Sequence, residues 1–335
     1  MRVLHRSHRG LPRVGGGAVV PAGARAGGAP AGARAIVAVL AAVAVIVAAA
    51  GLAACGSGAP TANGRLDVVA GENVWGDIAA QIGGARVQVT SLISDPNADP
   101  HEYETNPADA RAFVAASFVI VNGAGYDDWA SQLLSAQPEP GRRVFTVATL
   151  LGKKAGDNPH FWYDPAYVFR VINQITDDYE SLRPKEAAYF AARHRAVESN
   201  LAPYRARLAY ITDHFSGRPV AATESIFQYL ADYLDLDLVS PYPFMKAVAE
   251  GVDPPASSVA TFDRQIQDKA FDVLVYNIQT VTPLTTSIKE QTAQQDIPVI
   301  GVSETIQPPM DSFEQWMDGE LDTLTNGLNA QVLAR

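Results

Sequence analysis

Two histidines in this chain stand directly behind prolines. Pro100-His101 lies in "DPHEYETNPAD" and Pro159-His160 in "NPHFWYDP". Proline fixes its own φ and holds the residue before it extended, so each imidazole is presented from a stiffened backbone. That stiffness limits the loop entropy lost when a ligand is gripped. Two carboxylates stand at comparable places further on, Glu224 in "AATESIF" and Glu304 in "GVSETIQPP". Two imidazoles and two carboxylates make a four-donor N/O set suited to a divalent transition metal. Asp99, Glu102, Glu104 and Asp164 flank the histidines and are candidates to accept the second ring N–H, which fixes the tautomer of a ligating imidazole. Each residue also has an ordinary reading. A histidine near a strand end is commonly a loop or core residue, and a glutamate there a solvated cap. His194 and His214 fall in long helical stretches without ligand-like partners and read as surface residues; His5 and His8 lie near the start of the chain.

The elements that must position these groups alternate between strand and helix. Strand signals fall at Arg65 to Glu72, Val87 to Ile93, Phe118 to Gly123 and Val144 to Leu150. A second set falls at Pro219 to Ser225, Leu236 to Tyr242, Val273 to Gln279 and Ile297 to Glu304. Between Asp164 and Gly217 every signal is helical; Pro184 suits a helix start and Pro203 marks a kink or break. Asn106, Pro107 and Asp109 make a helix N-terminus just after His101. Alternation of this kind implies parallel sheets flanked by helices, an α/β protein of two lobes with about four strands each. Ligands of such sheets bind beyond the carboxyl ends of the strands. All four candidates follow strands, His101 and His160 in the first lobe, Glu224 and Glu304 in the second.

The chain of 335 residues is 47% hydrophobic and 19% charged, long enough for two domains. It carries 26 basic and 36 acidic residues, and six of its arginines fall in the first 54 positions, where there is no acid. The remainder therefore has a net charge of about −16. Such a body repels phosphates and argues against nucleic acid as a partner. After Arg34 come some twenty residues without charge, "AIVAVLAAVAVIVAAAGLAA", ending in "LAAC" with the only cysteine, Cys55. A basic segment, an apolar segment and small residues at its end mark an export signal; a plain transmembrane anchor is the alternative, and both place the body outside the cytoplasmic membrane. The expected organisation is a signal peptide over 1–54, Cys55 with a flexible tether to 64, a first α/β lobe over 65–163, a helical linker over 164–217 and a second α/β lobe over 218–335.

"LAAC" resembles the lipobox of bacterial lipoproteins, which implies acylation of Cys55. "DPHEYETNPAD" resembles the DPH-x-YE motif of the solute-binding proteins of zinc and manganese ABC transporters, the cluster A-I or TroA/ZnuA-like family. "NPHFWYDP" is similar to that family's second histidine motif, "GENVWGDIAAQIGG" to its opening segment and "NGAGYDDWASQLL" to the run after its third strand. The resemblance covers essentially the whole chain beyond Arg65. It implies His101 and His160 as ligands, Glu224 where zinc-type members carry histidine, and Glu304 where Asp is usual. It places Asn277 and Gln279, in "YNIQT", near the cleft as supporting groups. It also implies two lobes joined by a long helix that limits hinge motion. The implied function is that of a monomeric, lipid-anchored extracytoplasmic binder with one divalent ion, Mn²⁺ or Zn²⁺ with Fe²⁺ third, as cargo for an ABC permease and its ATPase. The donor set is harder than three histidines and favours Mn²⁺ or Fe²⁺ relative to such a site, although Zn²⁺ affinity still follows the Irving–Williams order. Other readings of the residues are an adhesion or interaction lipoprotein with a structural metal and a zinc-dependent hydrolase. Against the hydrolase, four protein ligands would close the shell that hydrolysis needs open, and no H-E-x-x-H or nucleophile elbow is present; no enzymatic activity is expected.

Overall fold

The computed structural model describes residues 64–334 apart from 98, 309 and 311. The expected leader and Cys55 lie outside the described residues. No described helix is long and apolar enough to cross a membrane.

The first lobe runs β1 (Leu66–Glu72), α1 (Asn73–Gly83), β2 (Val87–Ile93), α2 (Pro107–Ala115), β3 (Phe118–Val121), α3 (Asp128–Ala136), β4 (Arg143–Thr146) and α4 (Val147–Leu151). Three helices follow, α5 (Pro165–Leu182), α6 (Ala187–Asn200) and α7 (Ala202–Phe215). The second lobe comprises β5 (Pro219–Ala222), α8 (Gln228–Tyr233), β6 (Asp237–Leu238), α9 (Tyr242–Ala249), α10 (Ala256–Gln267), β7 (Val273–Asn277), α11 (Pro283–Gln294), β8 (Val299–Val302) and α12 (Phe313–Ala334). Each lobe holds one sheet, ordered β2-β1-β3-β4 and β6-β5-β7-β8, with every pairing parallel. The order switches direction beside β1 in one sheet and beside β5 in the other, which is where open sheets leave a crevice at the strand ends.

The two-lobed α/β architecture matches the sequence pattern, with two local differences. The fourth strand stops at Thr146, and Val147 to Leu151 forms a short helix closed by Gly152 at φ 70. An apolar run of that length fits a buried helix as well as a strand. The helical block is three helices rather than two, since a 3-10 turn at Pro184–Glu186 precedes α6 and the chain breaks again at Leu201. Pro203 in the first turn of α7 has no N–H to carry the previous helix through. The predicted helix start after His101 is realised as a capping box of Asn106 and Asp109 with Pro107 inside.

The lobes share one core. A single cluster of buried side chains includes Val68, Trp75 and Phe118 of the first lobe, Tyr179 and Tyr204 of the connecting helices, and Val275, Trp316 and Leu321 of the second lobe. Each sheet has a smaller cluster on its outer face, around Phe113 and around Phe262. Polar ties supplement this packing. Asn73 and the backbone of Ile306 exchange hydrogen bonds at 3.1 and 3.4 Å. Asp77 on α1 accepts from Phe313 N at the start of α12 (2.9 Å) and from Gln81 (2.7 Å), and Gln81 also donates to Glu314.

Asp77 supplies a test of this junction. Burial raises its carboxyl to about 6, against the lowering effect of the Phe313 and Gln81 donors. The folded state thus keeps this proton to higher pH than the unfolded chain. The stabilisation is complete below the ordinary carboxylate range and is lost as pH rises through about 6. Asp77→Asn retains an acceptor for Phe313 N–H but cannot ionise. In urea melts the variant should gain on the wild type by about 1–2 kcal/mol between pH 4.5 and pH 7.5. A stability gap that does not move with pH would show that Asp77 does not titrate in this way.

Candidate metal centre

His101 sits in a 3-10 turn, Pro100–Glu102, that begins as soon as the loop after β2 ends. Asp99 caps this turn by accepting the His101 backbone N–H at 2.9 Å, so it does not serve the ring. The loop is anchored behind by Tyr103, whose hydroxyl donates to Asp109 at 2.9 Å. His160 precedes another 3-10 turn, Phe161–Tyr163, and is fully buried. Asn122, at the end of β3, holds this second loop by donating to Pro159 O at 2.9 Å while accepting from Trp75 Nε1 at 3.0 Å.

Glu304 follows β8 and is fully buried between the two histidines. Its Oε2 lies 3.3 Å from His101 Nε2 and 3.5 Å from His160 Nε2, and the two imidazole nitrogens are 3.4 Å apart. The three donor atoms form a nearly equilateral triangle. An ion about 2.1 Å from each would see them at angles of about 104–113°, which is close to one face of a tetrahedron. Among the described residues this is the group of three such side chains close enough to hold an ion.

Glu224 is not part of the triangle. It follows β5, is buried, and places Oε1 2.7 Å from Asn277 Nδ2. The same nitrogen lies 2.8 Å from Glu304 Oε1, so one amide stands between the two carboxylates. Glu224 Oε2 is buried without a hydrogen-bond partner, which makes it the one unsatisfied acceptor of the set. Two adjacent buried carboxylates do not both ionise readily. Burial, then the charge of Glu304, pushes the Glu224 carboxyl well above the ordinary range. Burial acts on Glu304 as well, but the facing His101 and the Tyr126 hydroxyl oppose it and hold that carboxyl down, to about 2.

Three supporting groups were not evident from the sequence. Tyr126 donates to Glu304 Oε2 at 2.7 Å and packs edge-on against His101 and Trp162. It is delivered by Gly123, Ala124 and Gly125, all at positive φ. A side chain at Gly123 would meet Thr146 and Ala148 at 2.8 and 2.9 Å, so the "NGAG" run is a steric requirement of the turn. Asp127 pins the same turn by accepting from Asn122 N and Gly123 N. Asn158 takes the role for which the flanking acids were candidates: its Oδ1 lies 2.8 Å from His160 Nδ1. Because Asn158 Nδ2 donates to Ser225 O at 2.7 Å, the amide orientation is set and Oδ1 can only accept. Nδ1 of His160 therefore carries the hydrogen, leaving the Nε2 lone pair for the triangle. Burial lowers the His160 pKa and keeps the ring neutral. Asp164 instead caps α5. Gln279 Oε1 accepts the backbone N–H of Glu304 at 2.6 Å and of Thr305 at 3.2 Å, so Asn277 orients the carboxylate and Gln279 the peptide. His194 and His214 lie away from the site, bonded to Asn173 and to Tyr210 O.

The site lies at the floor of a cleft of about 910 Å³ whose wall includes His101, Tyr126, Asn158, Ser225, Gln279 and Thr280. Asn158 bridges the cleft through Ser225 O and through the hydroxyl of Tyr229, which donates to Asn158 O at 2.8 Å. The lobes are thereby bonded beside the His160 turn.

The family model described as "Zinc-uptake complex component A periplasmic" matches residues 68–327. The chain is 27% identical over 198 residues to the manganese-binding lipoprotein MntA of Halalkalibacterium halodurans, covering 56% of this chain and 65% of the relative. It is 28% identical over 180 residues to the iron-binding protein YfeA of Yersinia pestis, covering 50% and 57%. It thus spans less than two thirds of the length of these curated relatives. The Mn-bound periplasmic metal-binding protein of Candidatus Liberibacter asiaticus superposes with a TM-score of 0.66 at 17% identity, over 79% of this chain and all of that one; the likeness is one of fold.

The His160 tautomer can be read without any metal. In long-range ¹H–¹⁵N spectra of the metal-free protein at neutral pH, His160 should show Nδ1–H and an unprotonated Nε2. Asn158→Ala should convert it to a tautomer mixture. An Nε2–H tautomer in the wild type would mean that the lone pair does not face the triangle.

Proposed function

The chain belongs to the family of periplasmic zinc-uptake component A proteins, matched over 68–327, and from that premise we propose that it is an extracytoplasmic metal receptor of an ABC importer. In this reading one divalent transition-metal ion is its cargo, held by His101, His160 and Glu304 with Glu224 as the fourth donor. The observation that supports it most is the convergence of three donor atoms at 3.3–3.5 Å beside a buried carboxylate oxygen that has no partner. Such an arrangement is costly without a cation, because unsatisfied buried acceptors lose their hydration. Asn277 and Gln279 act as the supporting groups, one on the carboxylates and one on the Glu304 peptide.

The cargo is Mn²⁺ or Zn²⁺, with Fe²⁺ as a further candidate. Two carboxylates make the set harder than a three-histidine site and suit Mn²⁺ or Fe²⁺, while Zn²⁺ binds the same donors more tightly in a test tube. The partners are a membrane permease and its ATPase, and Cys55 is the point of lipid attachment that keeps a monomeric receptor at the outer face of the cytoplasmic membrane. Nothing in the donor set or in the relatives supports the hydrolase reading.

Calorimetric titration of the chain from Gly56 onward with Mn²⁺ and with Zn²⁺ is the direct test. One ion should bind with submicromolar affinity. His101→Ala and Glu304→Ala should each weaken it by a hundredfold or more, and Glu224→Gln by about tenfold. Unchanged affinity in Glu304→Ala would sink the assignment, whereas a silent Glu224→Gln would remove only the fourth donor.

A further inference from the structure

Glu320 lies on α12, sixteen positions beyond Glu304 in sequence, yet its carboxylate reaches the backbone that carries Glu304. Oε1 accepts the Ser303 N–H at 2.9 Å and approaches Ser303 Oγ at 3.2 Å. Oε2 lies 2.6 Å from the Tyr163 hydroxyl. That hydroxyl also lies 2.8 Å from Ser303 O, and Ser303 Oγ accepts from Trp316 Nε1 at 2.9 Å. Both backbone polar groups of Ser303 are therefore gripped, the N–H by Glu320 and the C=O by Tyr163. Tyr163 belongs to the turn that starts at His160, and its own N–H bonds His160 O at 3.1 Å. The Glu320–Tyr163–Ser303 group thus joins the segment bearing one ligand candidate to the segment bearing another.

Hydrogen counting adds a constraint. Tyr163 has one hydroxyl hydrogen but two acceptor neighbours, Glu320 Oε2 and Ser303 O. Both contacts are made together only if Glu320 carries a proton and donates it to Tyr163 Oη, which frees the Tyr163 hydrogen for Ser303 O. With Glu320 ionised, the charged acceptor takes the Tyr163 hydrogen and Ser303 O is released. We propose that Glu320 is a positioning residue for the metal site, holding the His160 turn and the Glu304 segment in register through a donor–acceptor clasp that is complete when it carries its proton. The inference rests on the metal-receptor reading. Burial raises the Glu320 carboxyl to about 7, against the donors Tyr163 and Ser303, so the proton is held up to neutral pH. The other ionisable groups that face this clasp are Tyr204 on α7 and Glu304 beyond Ser303. Arg207, on α7, is already paired with Asp318 and Asp322.

Glu320→Gln keeps an acceptor for Ser303 and supplies a permanent donor for Tyr163. Glu320→Ala removes both. With Mn²⁺ and Zn²⁺ as probes, Glu320→Ala should bind about tenfold more weakly, and Glu320→Gln within about twofold of wild type at pH 6. Between pH 6 and 8 the wild type should lose affinity relative to Glu320→Gln, because ionisation breaks one contact in the first and none in the second; the histidines titrate equally in both. Affinity of Glu320→Ala within twofold of wild type overturns the proposal, as does a wild-type to Glu320→Gln ratio that is constant with pH. Should Glu320→Ala fail to fold, the latter ratio decides alone. If the wild type binds neither ion, the functional reading has failed; the clasp is then tested by amide exchange at Ser303, expected to be at least tenfold faster at pH 8 than at pH 6 relative to Glu320→Gln after correction for intrinsic rates, and equal exchange overturns it.

Discussion

A carboxylate with no exposure to solvent, Glu304, is the constraint around which the rest is arranged. An ion of that kind loses several kcal/mol of hydration unless the protein replaces it. The replacement comes from three strand ends at once: Tyr126 after β3, Asn277 at the end of β7 and His101 after β2 surround the side chain, while Gln279 holds the peptide. Tyr126 is itself fixed by a turn of three positive-φ residues, and Asn158 fixes the His160 ring beside the carboxylate. Parallel sheets point all these strand ends the same way, and two sheets facing one crevice double the number of groups that can converge. The fold matters to the site because no single lobe could surround this charge.

The same arrangement limits motion. A hydrophobic core that continues from Trp75 to Trp316 cannot part without exposing apolar surface, and Asn158, Asn73 and Asp77 bridge the lobes on different sides. Of the three converging side chains, only His101 reaches solvent, with 23% of its side chain exposed while the other two have none. Solvent therefore meets this group of side chains at the loop that carries His101. The His101 turn is held on one side by the Asp99 cap and on the other by Tyr103 on Asp109.

The strand positions were legible because buried parallel strands read as continuous apolar runs, and the histidines because each stands behind a proline at a strand end. Glu224 and Glu304 were found by the same topological rule. What the sequence did not disclose were two neutral partners in the first lobe. Asn158 and Tyr126 carry no charge and no spacing signature, and their roles depend on which backbone carbonyl or carboxylate lies opposite. The acids around His101 were conspicuous for their charge, yet Asp99 and Asp109 serve backbone and tyrosine groups. Glu320 was hidden for the opposite reason: a glutamate in the long helical stretch that closes the chain reads as a solvated face until the fold brings it against Ser303. Charge is easily seen in a sequence, whereas complementarity needs coordinates.

The relation of Glu224 to Asn277 bears on selectivity. The triangle of His101, His160 and Glu304 has the angles of a tetrahedral face, which suits Zn²⁺ with one further donor. Mn²⁺ prefers more oxygen atoms around it, and the structure holds two in reserve, Glu224 Oε2 without a partner and Glu304 Oε1 on the Asn277 amide. Recruiting Glu304 Oε1 requires Asn277 to release its hydrogen bond to that oxygen, whereas Glu224 Oε2 has none to lose. An ion that draws in both oxygens must repay that loss, and an ion content with four ligands need not. In this chain one neutral amide thus competes with any cation for the second oxygen of Glu304 and also holds Glu224.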